Sequence, residues 1–200
     1  VDDNQDLIPR EGYEANGDVS WNNWAQVRAA KDAWYNALPP QSLSASNYAH
    51  PSMRSGFYDR GSFFQCPSAR LPSEASDPAY QIALFSRAMN SQLIAWPNVP
   101  TINFNRIRDP SRTVLFLDNR LRGEAKVVEE QSEDNLGQPS SYANRFAGRR
   151  HMQGGNLLFA DYHVEWLRGE DVVETQGPNI GWAIVPPRPP NAVVWDPDSN

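Results

Sequence analysis

This chain has one cysteine in 200 residues, a deficit of basic charge and no long apolar run. Each shortage excludes a class. A single cysteine, Cys66, cannot close an internal disulfide. A formal charge of −6 and a pI near 5.0 withhold the basic face that phosphate neutralisation requires, so nucleic acid is not among the expected partners. The one basic cluster, Arg145, Arg149 and Arg150, follows the acidic run "EEQSED" and reads as local charge balance. No run approaches the roughly 18 apolar residues that cross a bilayer, and no secretory signal peptide is present. The chain starts at Val1 without a methionine, so a trimmed upstream segment is expected.

Catalytic signatures are equally scarce. There is no Gly-x-Ser-x-Gly elbow, Walker loop or dinucleotide fingerprint. Histidine occurs at 50, 151 and 163, without the His-Glu-x-x-His spacing of a zinc helix. A transition-metal site is therefore not expected, and neither is an enzyme. The context of Cys66, "FFQCPSAR", has no nearby basic or histidine partner to lower a thiol pKa. A buried structural thiol is one reading; a bond to a cysteine in an absent segment is the other.

What is abundant is aromatic and proline. Seven tryptophans and 17 prolines in a chain 40% hydrophobic suit one domain with a real core, its loops pinned by aromatic anchors. A helix is expected from Ser20, an N-cap, to Leu38, because Trp24, Val27, Trp34 and Leu38 share one face; Pro39 and Pro40 end it. Residues 41–78 read as a long ordered loop in which Phe57, Tyr58, Phe63 and Phe64 must find cover. Strands are expected at "AYQIALF" (79–85), at "TVLFLD" (113–118) after the turn "DPSR", and at "KVVEE". After Gly177 the chain is proline-rich and should run extended, with Trp182 and Trp195 as anchors.

"RRHMQGGNLLFADYHVEWL" (149–167) holds two of the histidines. With Asp161-Tyr162 as a two-residue turn, Ala160 faces His163 and Leu157 faces Trp166. Leu157, Phe159, Val164 and Trp166 then make one apolar face, and His163 and Glu165 point the other way. Gly154-Gly155 would supply a positive-φ turn beside His151. Asp118 and Asp161 each end an apolar strand. Sharing one sheet edge with Asn119, they would suit a hard cation such as calcium; the plainer reading is that both accept turn N–H bonds.

The same stretch resembles the H-x9-D-G segment of pseudopilin-like proteins, carried in large numbers by planctomycetes, verrucomicrobia and their relatives. Arg150, His151, Gly154, Asn156, Phe159, Asp161, His163 and Val164 match its pattern, and Tyr162 stands where the family has glycine. "VDDNQDLIP", "FFQCPSA" and "IRDPSRTVLFLDN" resemble three further family elements in the same order, and "RAMN" resembles a fourth more weakly. The resemblance spans Val1 to Leu167, with the proline-rich C-terminal extension (178–200) outside it, and implies a globular head (1–177). Its fold would be α+β, an antiparallel sheet packing on an absent N-terminal hydrophobic helix. That helix would follow a leader cut by a prepilin peptidase, and would anchor the protein in the inner membrane with its head in the periplasm or at the cell surface. The implied role is a structural subunit of a type II secretion or type IV pilus-like filament. Its partners would be other pilin-like subunits, with secreted cargo or polysaccharide beyond them. The resemblance also implies a disulfide from Cys66 to a cysteine upstream of Val1, and it keeps calcium open as a cofactor. The alternative function is a surface-displayed carbohydrate-binding head using exposed aromatics.

Overall fold

"TVLFLD" does become a strand, and it is the middle one. The computed structural model describes residues 8–9, 27, 33–37, 57–58, 62–77, 82–93, 103–173 and 193–195. Among these, five strands form one sheet: Arg87–Asn90 (β1), Val114–Asp118 (β2), Ser140–Ser141 (β3), Gly154–Phe159 (β4) and Val164–Arg168 (β5). Their spatial order is β3-β1-β2-β4-β5, antiparallel throughout except for the parallel β1–β3 pair. Single helical turns at Trp34–Ala37 (α1) and Gly169–Val172 (α2) complete the α+β content.

The sheet is covered on both faces, so its central strand carries apolar residues on both. Val114 and Leu117 enter one core with Ala88, Phe146, Leu157, Phe159 and Trp195. Leu115 and Phe116 enter the other with Trp34, Phe57, Phe64, Phe85 and Met89. Two consecutive residues on one face require a break in the alternation, and the register against β4 does shift between Val114 and Phe116. This bulge lets an almost uninterrupted apolar run serve two cores.

The larger core is aromatic. Trp34 sits edge-on to Phe116 at 5.0 Å and to Phe85 at 5.8 Å, and Phe57 stacks on Phe64 at 5.4 Å. Such pairs contribute about 0.5–1.5 kcal/mol each beyond burial. The Trp34 indole N–H donates to Pro139 O at 2.8 Å, which ties α1 to the strand-edge loop. Of the expected helical stripe, Val27 and Trp34 are fully buried; Ser20, Trp24 and Leu38 lie outside the described residues. Phe57 and Phe64 are buried as the loop reading requires, whereas Phe63 keeps about a third of its surface exposed. At the C-terminus, Val194 bridges Thr113 and Trp195 is buried, so this part of the extension is anchored on β2. Trp182 lies outside the described residues.

The described parts of the other two expected strands are not strands; residues 79–81 lie outside the described residues. Residues 82–85 have their backbone groups taken by side chains: Leu84 N donates to the Tyr58 hydroxyl, Gln65 donates to Leu84 O, and Asn119 donates to Phe85 O. The ladder begins only at Arg87. "KVVEE" is likewise turned, because buried Gln131 accepts from Val127 N and donates to Ala143 O and Phe146 O. A glutamine replaces the strand partner.

The hairpin of β4 and β5 exists, with its register one residue away from the two-residue-turn reading. Leu158 faces Val164 and Leu157 faces Glu165. The loop has three residues, Ala160 to Tyr162, closed by Phe159 N donating to His163 O at 3.0 Å. Tyr162 takes the left-handed conformation (φ 71°) that such a loop needs at its last position. A slip of one turns every β5 side chain over. Val164 and Trp166 therefore share no face with Leu157 and Phe159, and both are exposed on this edge strand. The glycines also differ from expectation. Neither Gly154 nor Gly155 has positive φ; Met152 (φ 51°) and Gln153 (φ 68°) turn the chain instead. The glycines supply space, since a Cβ at Gly155 would lie 2.7 Å from the Phe146 ring.

Candidate functional site at the end of strand β2

Asp118 is the last residue of β2, and the β2–β4 register brings Asn156 beside it. Asn156 donates twice to Asp118 Oδ2, from its backbone N at 2.8 Å and from Nδ2 at 2.9 Å. The carboxylate is 4% exposed by residue, and these two bonds hold it in one orientation. His151 arrives from the turn that precedes β4. Its N–H and C=O both pair with Gly154, closing a tight turn over Met152 and Gln153. Left-handed conformations at two non-glycine residues cost about 1–2 kcal/mol each. Three contacts offset this strain: Trp166 Nε1 donates to His151 O at 2.8 Å, Gly169 N to Gln153 O at 2.9 Å, and Arg149 to Gln153 Oε1 at 2.6 Å. Strain over-determined by its surroundings is a mark of functional sites.

The third arm is Cys66, whose N–H donates to Ser86 Oγ at 2.6 Å, just before β1. Its Sγ lies 3.3 Å from His151 Nε2, and that same nitrogen lies 3.3 Å from Asp118 Oδ2. One sulfur, one carboxylate oxygen and one imidazole nitrogen stand within 4.8 Å of one another, with Cys66 and Asp118 buried and the His151 side chain 25% exposed. A histidine partner for Cys66 was not expected from its local sequence. The two residues are 85 apart in the chain, so only the fold reveals the contact. A signal was nonetheless present: each member lies in a different stretch that carries the family resemblance.

Behind the cluster lies Arg150, almost fully buried. Its Nε and Nη2 clamp Glu124 at 2.8 and 2.5 Å, and its remaining bonds go to Ser86 O and Asn119 O. Asp118 Oδ1 is 3.7 Å away. Burial pushes the Arg150 pKa down, but the Glu124 bonds and charge outweigh it and the net shift is upward. Every donor direction is used internally. Arg149 pairs with Glu170, and Arg145 donates to the backbone carbonyl of Asp134, so all three arginines of the basic cluster have partners within the protein.

The remaining candidates do not join this site. Antiparallel pairing places Asp161 beside Pro110 and Thr113, at the opposite end of β2 from Asp118. Five residues of strand, about 16 Å, separate the two aspartates, and a shared calcium site is not formed. Asn119 turns its amide to Phe85 O and Gln138 O. Asp161 caps its own turn, accepting from His163 N at 3.1 Å and contacting His163 Nδ1 at 2.5 Å. The His163 ring stacks on Phe159 at 4.4 Å. Of the described tryptophans, Trp34 and Trp195 are buried and Trp166 is partly exposed, so no pair of exposed tryptophans stands among the described residues. No family model, curated protein or solved structure matches the chain.

Proposed function

We propose that this chain is the globular head of a pilin-like subunit, a pseudopilin of a type II secretion or type IV pilus-like filament, with a structural and non-enzymatic role. The observation that carries the reading is the meeting of three separated stretches that resemble that family. The Cys-Pro-Ser element supplies Cys66, the Pro-Ser-strand-Asp element supplies Asp118, and the H-x9-D-G element supplies Arg150, His151 and Asn156; at one end of the sheet Cys66 contacts His151, and His151, Asn156 and Arg150 each contact Asp118. Residues that such a family shares would be those that hold its elements together, and contacts of that kind are what supports the reading. The described residues contain no helix long and apolar enough to cross a membrane. In this reading the anchor is an upstream helix, packed in the inner membrane and then in the filament core, while the head makes subunit or cargo contacts in the periplasm or at the cell surface.

Expressing the complete gene beside a prepilin peptidase tests it. Cleavage of a short leader, N-methylation of the new terminus by mass spectrometry, and cross-linking into pilin-like assemblies are expected. Removal of an ordinary secretory signal peptide, followed by release of a soluble monomer, would overturn it.

A further inference from the structure

We propose that Cys66 Sγ, His151 Nε2 and an Asp118 carboxylate oxygen are three ligands of a binding site for a borderline-soft divalent cation, zinc above all, with the fourth position open to water. The proposal does not need the filament reading, and it competes with the upstream disulfide that the resemblance implies for Cys66. Its first support is convergence. In a nucleophilic cysteine or serine triad the histidine faces the nucleophile with one ring nitrogen and the carboxylate with the other. Here a single nitrogen faces both, at 3.3 Å to sulfur and 3.3 Å to oxygen. One proton on Nε2 cannot serve two well-aligned acceptors, whereas one cation serves all three donors. Tetrahedral zinc with ordinary bond lengths places neighbouring ligand atoms about 3.4–3.6 Å apart, within a few tenths of both contacts.

Donor chemistry and charge agree. Thiolate and imidazole select a borderline-soft ion over calcium or magnesium, which take oxygen ligands. One thiolate and one carboxylate neutralise a divalent charge. The nearby Arg150 guanidinium adds no net repulsion, because Glu124 already neutralises it through two bonds. The three segments are also held in place: Asn156 donates twice to Asp118 Oδ2, the oxygen that faces His151, the Cys66 backbone N–H donates to Ser86 Oγ, and the His151 carbonyl accepts from Trp166. The partly exposed edge of His151 leaves a side for water to complete the four ligands. Such an ion would pin the Cys66 loop, the end of β2 and the turn before β4 to one point.

The test uses the full chain, reduced, stripped with chelator and titrated with cobalt(II), zinc and calcium in turn. Because the chain has one cysteine, any thiolate-to-cobalt charge-transfer band reports Cys66 alone. One equivalent of cobalt should give that band together with the intense visible absorption of a tetrahedral ion, and zinc should displace it. Zinc should slow alkylation of Cys66 at least tenfold and raise the melting temperature, while calcium does neither. Cys66→Ser should abolish the band. His151→Ala should weaken zinc binding at least tenfold, and His151→Gln repeats the measurement if the alanine variant melts without a folded baseline. Several results would overturn the proposal: no band, a band unchanged without the His151 imidazole, calcium protecting as well as zinc, or Cys66 in a disulfide in the complete protein.

Discussion

Gly154→Ala is the substitution whose cost the structure defines most sharply. A Cβ at position 154 would lie 2.4 Å from Leu167 O and 2.4 and 2.5 Å from Cε2 and Cζ2 of the Trp166 indole. Carbon atoms in contact sit about 3.5–4.0 Å apart. The β4–β5 ladder fixes the spacing at Gly154–Arg168 and Gly155–Leu167, so either the strands part or the indole swings out. Overpacking of this kind costs about 1–3 kcal/mol. An indole that swings away also gives up its bond to His151 O, another 0.5–1.5 kcal/mol or so. Against this, replacing glycine by alanine restricts the unfolded chain and returns about 0.4–1 kcal/mol. The balance is a loss of about 2 kcal/mol, read as a lower urea midpoint at unchanged slope. Adding Trp166→Ala removes the two ring contacts and leaves the one to Leu167 O, so the double variant should recover part of the loss. The coupling between the two changes should exceed about 0.5 kcal/mol. A Gly154→Ala midpoint equal to or above that of the parent would refute the steric argument. Gly123 is the contrast: nothing lies within 4 Å of its added Cβ, and only its φ of 85° opposes alanine.

Three other outcomes are expected. Arg150→Met leaves Glu124 buried without its partner and should cost about 3–5 kcal/mol, whereas Arg149→Met, at a partly exposed pair with Glu170, should cost under about 1 kcal/mol; similar denaturant midpoints for the two would contradict this. Tyr162→Gly relieves a left-handed tyrosine, about 1 kcal/mol, but loses the stack on Phe104 at 5.6 Å, so it should be near neutral alone and stabilising in a Phe104→Ala background; equal effects in both backgrounds would show that the stack contributes nothing. The Asp161 carboxyl is held below its ordinary range, chiefly by the His163 side-chain bond and then by its backbone N–H. A depressed folded-state pKa favours the fold above the ordinary carboxylate range and loses that contribution as pH falls through the depressed value. A carbon-13 titration should show the Asp161 midpoint rising in His163→Ala, and an unmoved midpoint would rule out His163 as the cause.

Local pattern was enough for the elements whose cause is local. "TVLFLD" reads as a strand because apolar β-branched and aromatic residues follow a turn, and β2 is that strand. The hairpin reads from two apolar runs about "DY", and the burial of Phe57, Phe64 and Trp195 follows from their sheer apolar surface. The fold decided everything that depends on a partner far along the chain. β2 bulges because two cores compete for consecutive side chains. The hairpin slips by one because Ala160 and Asp161 bond back to Thr113 O and Pro110 O while Tyr162 lies on Phe104, contacts 40 to 60 residues away. Residues 82–85 lose a ladder to Tyr58, Gln65 and Asn119, none of which is a neighbour in sequence. The candidate site follows the same rule. Cys66 has no local partner, and Asp118 and His151 each look like turn residues. A binding site needs several groups converging on one point, and convergence over 85 residues is a property of packing that no spacing along the chain encodes.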